Sequence, residues 1–166
     1  EKDPLRPALA VRILPADSRV RVHQYGMAHG PEWAERAEIE MRTNARYHWH
    51  GELARPQIRK VYRRTNLLVL PSLMEGGANV ISEAVAAGVP VVASDIPGSM
   101  GLLGDGYPGY YPTGDEQALA DLLQRTASDP AFYEALTDWC RSLQPRFSPA
   151  AERAAWARLI EQVDAA

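Results

Sequence analysis

Two carboxylates eight positions apart, Glu75 and Glu83, bracket the part of this sequence best suited to chemistry. After Glu75 come Gly76, Gly77, Ala78, Asn79 and Val80, leading from an apolar run into a helical pattern. Glycines at 76 and 77 allow positive φ and let a ligand come close to the backbone. A helix beginning near Asn79 offers free N–H groups and the positive end of its dipole, which together suit a phosphate. Asn79 also has the side chain of an ordinary N-cap. A carboxylate aimed at a phosphate is repelled, so the two glutamates are expected to face neutral donors. Vicinal hydroxyls fit, because an ionised carboxylate only accepts hydrogen bonds. A diphosphate between two diols describes a nucleotide sugar, with ribose on one side and a hexose on the other. Taken singly, Glu83 also reads as a solvated helix residue and Glu75 as a loop charge.

The elements that position this loop follow from hydrophobic period. Helices are expected over Pro4–Leu14, Pro31–Thr43, Pro56–Thr65, Asn79–Ala87 and Glu116–Ser128. A further helix places Phe132, Leu136, Trp139, Cys140 and Leu143 on one face, which assigns Cys140 to the core. Ser148 and Pro149 supply a cap and first-turn proline for a closing helix over 149–164, with Trp156, Leu159, Ile160 and Val163 as its apolar face. Strands are expected at Arg19–Tyr25 and Tyr47–His50. Asn66–Leu70 and Pro90–Ser94 read as strands buried on both faces of a parallel sheet. Residues 95–115 read as a glycine- and proline-rich loop with a brief strand at Gly109–Tyr111. Alternating β and α units with short connections predict an α/β fold, a doubly wound parallel sheet of Rossmann-like type. Its ligands should lie at the carboxyl ends of the strands, after Tyr25, His50, Leu70 and Ser94.

Composition narrows the function classes. The chain has 166 residues, enough for one domain with an ample core. Its single cysteine excludes an internal disulfide framework and multi-cysteine metal sites. The longest apolar stretch, Leu67–Met74, contains Pro71 and Ser72 and is too short to cross a bilayer. No charged-then-apolar segment opens the chain, so a cytoplasmic setting is expected. The net charge of −3 argues against a nucleic-acid partner. It conceals a split: residues 1–65 carry 13 Lys and Arg against 8 Asp and Glu, whereas residues 66–166 carry 5 against 13. An anionic ligand held between the two parts would suit that division.

The residues also carry a family resemblance. Glu75-Gly76-x-x-Asn79-Val80-x-x-Glu83-Ala84, followed by Ala87-Gly88-Val89-Pro90-Val91-Val92-Ala93-Ser94, resembles the C-terminal, donor-binding half of retaining glycosyltransferases of the GT-B fold. Within these it is similar to family four, which includes sucrose-phosphate synthases and bacterial mannosyl- and glucosyltransferases. The likeness extends over nearly the whole chain, through Gly51, Tyr62, Pro71-Ser72 and Phe147-Ser148. It implies that Glu75 binds hydroxyls of the donor sugar, assisted by N–H groups of Gly76, Gly77, Ala78, Asn79 and Val80, and that Glu83 holds the ribose diol. The loop after Gly51, with Glu52 and Leu53, would meet the base. Lys2 resembles the end of the family's Arg-x-x-x-x-Lys phosphate clamp and would offset charge on the departing nucleoside diphosphate. The resemblance implies no cofactor and no metal, so that fixed cations and helix dipoles stabilise the leaving group.

Three departures stand out. Gly77-Ala78 replaces the family's usual Phe-Gly, and Gly101 stands where a glutamate is common. The clamp arginine and the first strand of this half would precede Glu1. The chain is therefore expected to be a single nucleotide-sugar-binding domain over 1–166, lacking an N-terminal acceptor domain. Its sheet should have an unfilled central position between the Arg19 and Asn66 strands. A narrower likeness rests on Met74–Val80, Ile96-Pro97-Gly98, Leu103-Gly104 and Tyr107-Pro108-Gly109-Tyr110. These resemble a bacterial subgroup that includes selenosugar synthases, which join a UDP-sugar to selenophosphate.

Other signals yield less. Gly104–Gly109 matches G-x-G-x-x-G but neither follows a strong strand nor opens a helix, so it reads as a turn. His48 and His50 share a strand face, with no third histidine near them in sequence. Arg55, Arg59, Lys60, Arg63 and Arg64 read as a solvated helix face rather than a membrane dock. A non-catalytic nucleotide-binding module of the same fold is the alternative reading. A dinucleotide-dependent oxidoreductase domain is disfavoured by the lack of a placed glycine fingerprint.

Overall fold

The computed structural model describes residues 1–164 and shows two short parallel sheets flanked by helices. The first part runs α1 (Arg6–Ile13), β1 (Val22–Gln24), α2 (Pro31–Thr43), β2 (Tyr47–Trp49) and α3 (Arg55–Tyr62). The second runs β3 (Leu68–Leu70), α4 (Asn79–Ala86), β4 (Val91–Ser94), α5 (Pro97–Leu103), β5 (Tyr110–Tyr111), α6 (Glu116–Ser128) and α7 (Pro130–Leu143). It ends with a 3₁₀ turn (Gln144–Phe147) and α8 (Pro149–Asp164). Every strand pairing is parallel, β1 with β2 and then β3 with β4 with β5. Parallel neighbours need helical crossovers, and α2, α4 and α5 supply them. The α/β, Rossmann-like class expected from the sequence is the fold observed.

Local chemistry sets several helix starts. The Asp115 carboxylate accepts the Ala118 N–H at 2.9 Å, and Asp129 accepts that of Phe132 at 3.1 Å. Ser148 accepts the N–H of Ala151 at 3.1 Å, the capping role its sequence position suggested. The main core gathers Val91, Val92 and Ala93 of β4 with Ile81 and Val85 of α4, Leu119 and Leu123 of α6, and Leu136 and Cys140 of α7. Cys140 lies in the core as expected. Helix α1 packs along α6 through this cluster, and a second cluster joins Leu5, Ala8, Ala37 and Tyr47. Arg12 ties α1 to α2, its Nε 2.8 Å and its Nη2 3.0 Å from the two Glu40 oxygens.

Four expectations need correction. Residues 97–103 are helix α5, not loop, because Pro97 sits at its first turn and glycine-rich composition masked the period. The helix expected to Thr65 ends at Tyr62. Its last groups turn tightly instead, with Arg64 N–H bonded to Val61 and Thr65 N–H to Tyr62, as the chain bends into β3. Strand β3 is not buried throughout: Leu68 and Val69 are half-buried and only Leu70 is buried, because among the described residues β3 has a strand neighbour on one side only. The apolar face of α8 is not packed, with Trp156 59% and Val163 68% exposed. No ladder joins β1 to β3 among the described residues, so the two sheets are separate ladders. None of the described helices is long and apolar enough to cross a membrane.

Burial makes these two regions respond differently to substitution. Leu136→Ala should cost about 2–5 kcal/mol, since the side chain is fully buried and its removal leaves a cavity in the core. Ile160→Ser on α8 should stay within about 0.5 kcal/mol. Urea unfolding midpoints of the two variants check the contrast.

Candidate functional site

The loop after β3 is built around the Glu75 carboxylate. Ser72 is fully buried, and its hydroxyl donates to Glu75 Oε1 at 2.9 Å. The Ser72 carbonyl in turn accepts the Ser94 hydroxyl at 2.5 Å, so the end of β4 fixes the loop that leaves β3. Lys2 Nζ forms an ion pair with the same Oε1. The Leu73 N–H donates to the Glu1 carbonyl at 2.7 Å, which lays the opening tripeptide along the loop. From the other side Gly98 of α5 presses on the Glu75 backbone: a Cβ on Gly98 would lie 2.1 Å from the Glu75 carbonyl oxygen. Glu75 is thus held through its side chain and its main chain, while the Lys2 side chain remains 61% exposed.

Partial burial pushes the Glu75 carboxyl up. Hydrogen bonds from Lys2 and Ser72, with the Lys2 charge, outweigh that and hold it below the usual carboxylate range. A salt link that joins the two oppositely charged parts of the chain therefore sits at the predicted donor loop. Arg6 makes a second link, pairing with both Asp3 and Glu116.

Gly76 and Gly77 depart from the expected conformation. Neither takes positive φ, and a Cβ at either would meet only open space. Openness is therefore the property they bring to this loop. The expected N-cap is also displaced: the cap of α4 is Ala78, with no side-chain bond, and Asn79 is the first helical residue. Ala78 is buried and anchors the turn, whereas Val80 is exposed. Helix α4 consequently begins without a capping side chain, beside open space, where backbone N–H groups can serve an anion.

Glu83 lies on the same helix and accepts a hydrogen bond from the Tyr62 hydroxyl at 3.3 Å. Burial, then the Glu83 charge and this bond, push the Tyr62 phenol up, so Tyr62 is a fixed donor. Gly51 and Leu53 follow β2. Gly51 does take positive φ, +67°, and its carbonyl accepts the Gly26 N–H at 2.8 Å, tying together the two strand ends of the first sheet. Leu53 is half-buried. The structure thus joins Lys2 directly to Glu75 and keeps Glu83 with Tyr62. Gly51 and Leu53 lie in the loop that follows β2, with no hydrogen bond to either glutamate among the described residues.

Sequence reasoning missed two contributors. Ser72 was visible only as part of Pro71-Ser72, and its contacts with Glu75 and Ser94 depend on β3 and β4 being adjacent. Gly98 was visible as a glycine after proline, but its contact comes from a helix the sequence did not reveal.

Gly98→Ala should force the α5 start away from the loop at a cost of about 1–3 kcal/mol. Gly101→Ala, on the same helix with open space at its Cβ, should be neutral or stabilising by up to about 1 kcal/mol. Thermal unfolding of the two variants checks this. Because the folded Glu75 pKa lies below its ordinary 4.5, its contribution is present above pH 4.5 and is lost as pH falls through the folded value. Glu75→Gln should therefore flatten the acid side of the stability–pH curve, measured by urea midpoints from pH 7 to pH 3.

Comparison with known proteins agrees with this architecture. HepE of Anabaena, whose structure was determined in complex with UDP-glucose, superimposes with a TM-score of 0.80 at 22% identity, over 97% of this chain and 45% of that one. Sucrose-phosphate synthase of Thermosynechococcus elongatus gives 0.77 at 25% identity, over 99% and 43%. In sequence, D-inositol 3-phosphate glycosyltransferase of Streptomyces avermitilis is 38% identical over 77 residues, 46% of this chain and 17% of that protein. The capsular polysaccharide biosynthesis glycosyltransferase CapM of Staphylococcus aureus is 30% identical over 76 residues, 45% of this chain and 20% of that protein. The chain spans less than half the length of each of these proteins. The family described as glycosyl transferases group 1 matches residues 5–129, three-quarters of the sequence, and the chain belongs to that family.

Proposed function

We propose that this chain is the donor-binding half of a retaining, metal-independent, cytoplasmic glycosyltransferase that takes its sugar from a UDP-linked donor. The observation that carries the reading is the Lys2–Ser72–Glu75 cluster at the uncapped start of α4, with Glu83 further along the same helix. In this reading Glu75 accepts hydroxyl protons of the hexose. Lys2 leaves Glu75 for the diphosphate and, with the α4 N-terminus, offsets the charge that grows on the leaving group. No metal is needed for that charge. Glu83, oriented by Tyr62, takes the ribose diol, and the backbone at Gly51 and Leu53 meets the base. Family membership supports a nucleotide-sugar donor, as does the overlay on HepE, which was determined with UDP-glucose.

An N-terminal domain of the full-length protein would hold the acceptor across the cleft. On the narrower resemblance of the Met74–Val80 loop, that acceptor is selenophosphate. The chain by itself should give no transfer, because nothing in it positions a nucleophile against the anomeric carbon.

Calorimetric titration with UDP, UDP-sugars, GDP, ADP and NAD tests the reading. UDP and UDP-glucose are expected to saturate one site, and Glu83→Ala should weaken both by about tenfold or more. Glu75→Ala should weaken UDP-glucose while leaving UDP nearly unchanged. Nucleotide binding indifferent to Glu75→Ala for both ligands would instead mark a non-catalytic nucleotide-binding module. Binding of NAD alone, or of nothing, would overturn the proposal.

A further inference from the structure

Glu75 lies under Lys2 in this structure. The Lys2 side chain is 61% exposed, whereas the Glu75 side chain beneath it is 12% exposed. Oε1 of Glu75 carries two donors, the Lys2 ammonium and the Ser72 hydroxyl, and among the described residues Oε2 carries none. A vicinal diol brings two O–H donors to a carboxylate and is best met by both of its oxygens. With Lys2 in place, a hexose instead meets an ammonium, which can only donate.

The two donors on Oε1 differ in freedom. Ser72 is fully buried and its carbonyl is held by the Ser94 hydroxyl, so its bond to Glu75 fixes the carboxylate. Lys2 has a pinned backbone and a free side chain. Before it, the Glu1 carbonyl accepts the Leu73 N–H at 2.7 Å. After it, the Asp3 carbonyl accepts the Arg6 N–H at 3.1 Å and the Asp3 carboxylate accepts the Arg6 Nε at 2.7 Å. Asp3 also takes φ +42°, a region that few residues other than glycine enter. Only the flexible four-carbon stem of Lys2 therefore decides where its ammonium lies. The uncapped start of α4 follows at Ala78, three residues past Glu75.

We propose that Lys2 is a cover on the sugar subsite, so that a hexose reaches Glu75 only once a nucleoside diphosphate has drawn the ammonium away. This rests on the donor reading given above and adds to it a coupling between the two parts of the ligand. A diphosphate at the start of α4 attracts Lys2 and leaves the Glu75 charge unpaired, with like charge nearby. Hexose hydroxyls then satisfy that carboxylate. A hexose arriving alone has to displace Lys2 with no anion to receive it. Each part of the donor thus favours the other, and by linkage the two effects are equal. The same contact makes the site discriminate against free sugars.

The test follows the Glu75 side-chain carboxyl by carbon-13 NMR in the whole chain, its signal identified by its loss in Glu75→Gln. Glucose is titrated alone and at saturating UDP. In the wild type, UDP should tighten glucose by about tenfold or more. Lys2→Met removes the cover, and glucose should bind this variant equally with and without UDP. Lys2→Arg keeps a cation in place and should restore the dependence on UDP. A purely structural role for Lys2 would instead leave the ratio of the two glucose affinities unchanged in Lys2→Met, which would overturn the proposal. The proposal also falls, and the donor reading stands, if UDP binds the wild type and leaves glucose affinity unchanged or undetectable. Failure of UDP to bind removes the donor reading and the cover with it.

Discussion

Strand β4 has no face or edge in water, and the rest of the second part is arranged to satisfy it. All four residues from Val91 to Ser94 are buried, so every backbone polar group must find a partner within the protein. Neighbours β3 and β5 provide most of these, with registers Leu68↔Val91 and Ala93↔Tyr110. The Val91 carbonyl receives the buried Tyr107 hydroxyl, and the Ala93 N–H reaches the Gly109 carbonyl at 3.0 Å. Gly109 has to be glycine for this: a Cβ would sit 2.6 Å from the Val91 oxygen. At its far end Ser94 donates to Ser72. The fixed position of Glu75 is thus a consequence of burying one four-residue strand.

Electrostatics completes what burial begins. The division of charge along the sequence is used across the molecule, since Lys2 pairs with Glu75 and Arg6 with Glu116. The two links act differently. Arg6 is also held by Asp3, so its pairing is part of a network that seats the chain's opening turn against α6. Among the described residues Lys2 has one side-chain partner, and its side chain is largely exposed, so it is the less constrained of the two cations. With Lys2 on Glu75, neither charge at the start of this loop is left unpaired. Tyr62 completes the arrangement at Glu83, and its raised pKa keeps it a donor throughout the working range of an enzyme.

The family of this chain was legible in a loop and a helix start. Glu75, Gly76, Asn79 and Glu83 are adjacent in sequence, so their spacing alone placed two carboxylates about an anion-accepting turn. The helices over Pro31–Thr43 and Glu116–Ser128 were legible to the residue, because Pro31 fits the first helical position by its fixed φ and Asp115 caps the other start through the Ala118 N–H. The glycine conformations were not. Positive φ was expected at Gly76 and Gly77 and occurs at Gly26, Gly51, Gly88, Gly104, Gly106 and Gly114 instead. Glycine permits that region without requiring it, and the choice depends on where the following strand or helix must go. Helix α5 escaped notice for a related reason: its seven residues contain two glycines and a proline, and it is held by packing against the Glu75 backbone rather than by propensity.

By itself the sequence determined most of the alternation of strands and helices, the core stripes of the long helices and the glycine loop that leads into α4, since these depend on periods and caps read within a few residues. The tertiary structure alone decided which distant groups meet. It set Lys2 on Glu75, separated by 73 positions, Gly98 behind the same residue, and His23 against His50 across a parallel pair. Parallel strands are joined by long crossovers, so the partners on their faces are fixed by register and packing. Neither leaves a mark at short range in the sequence.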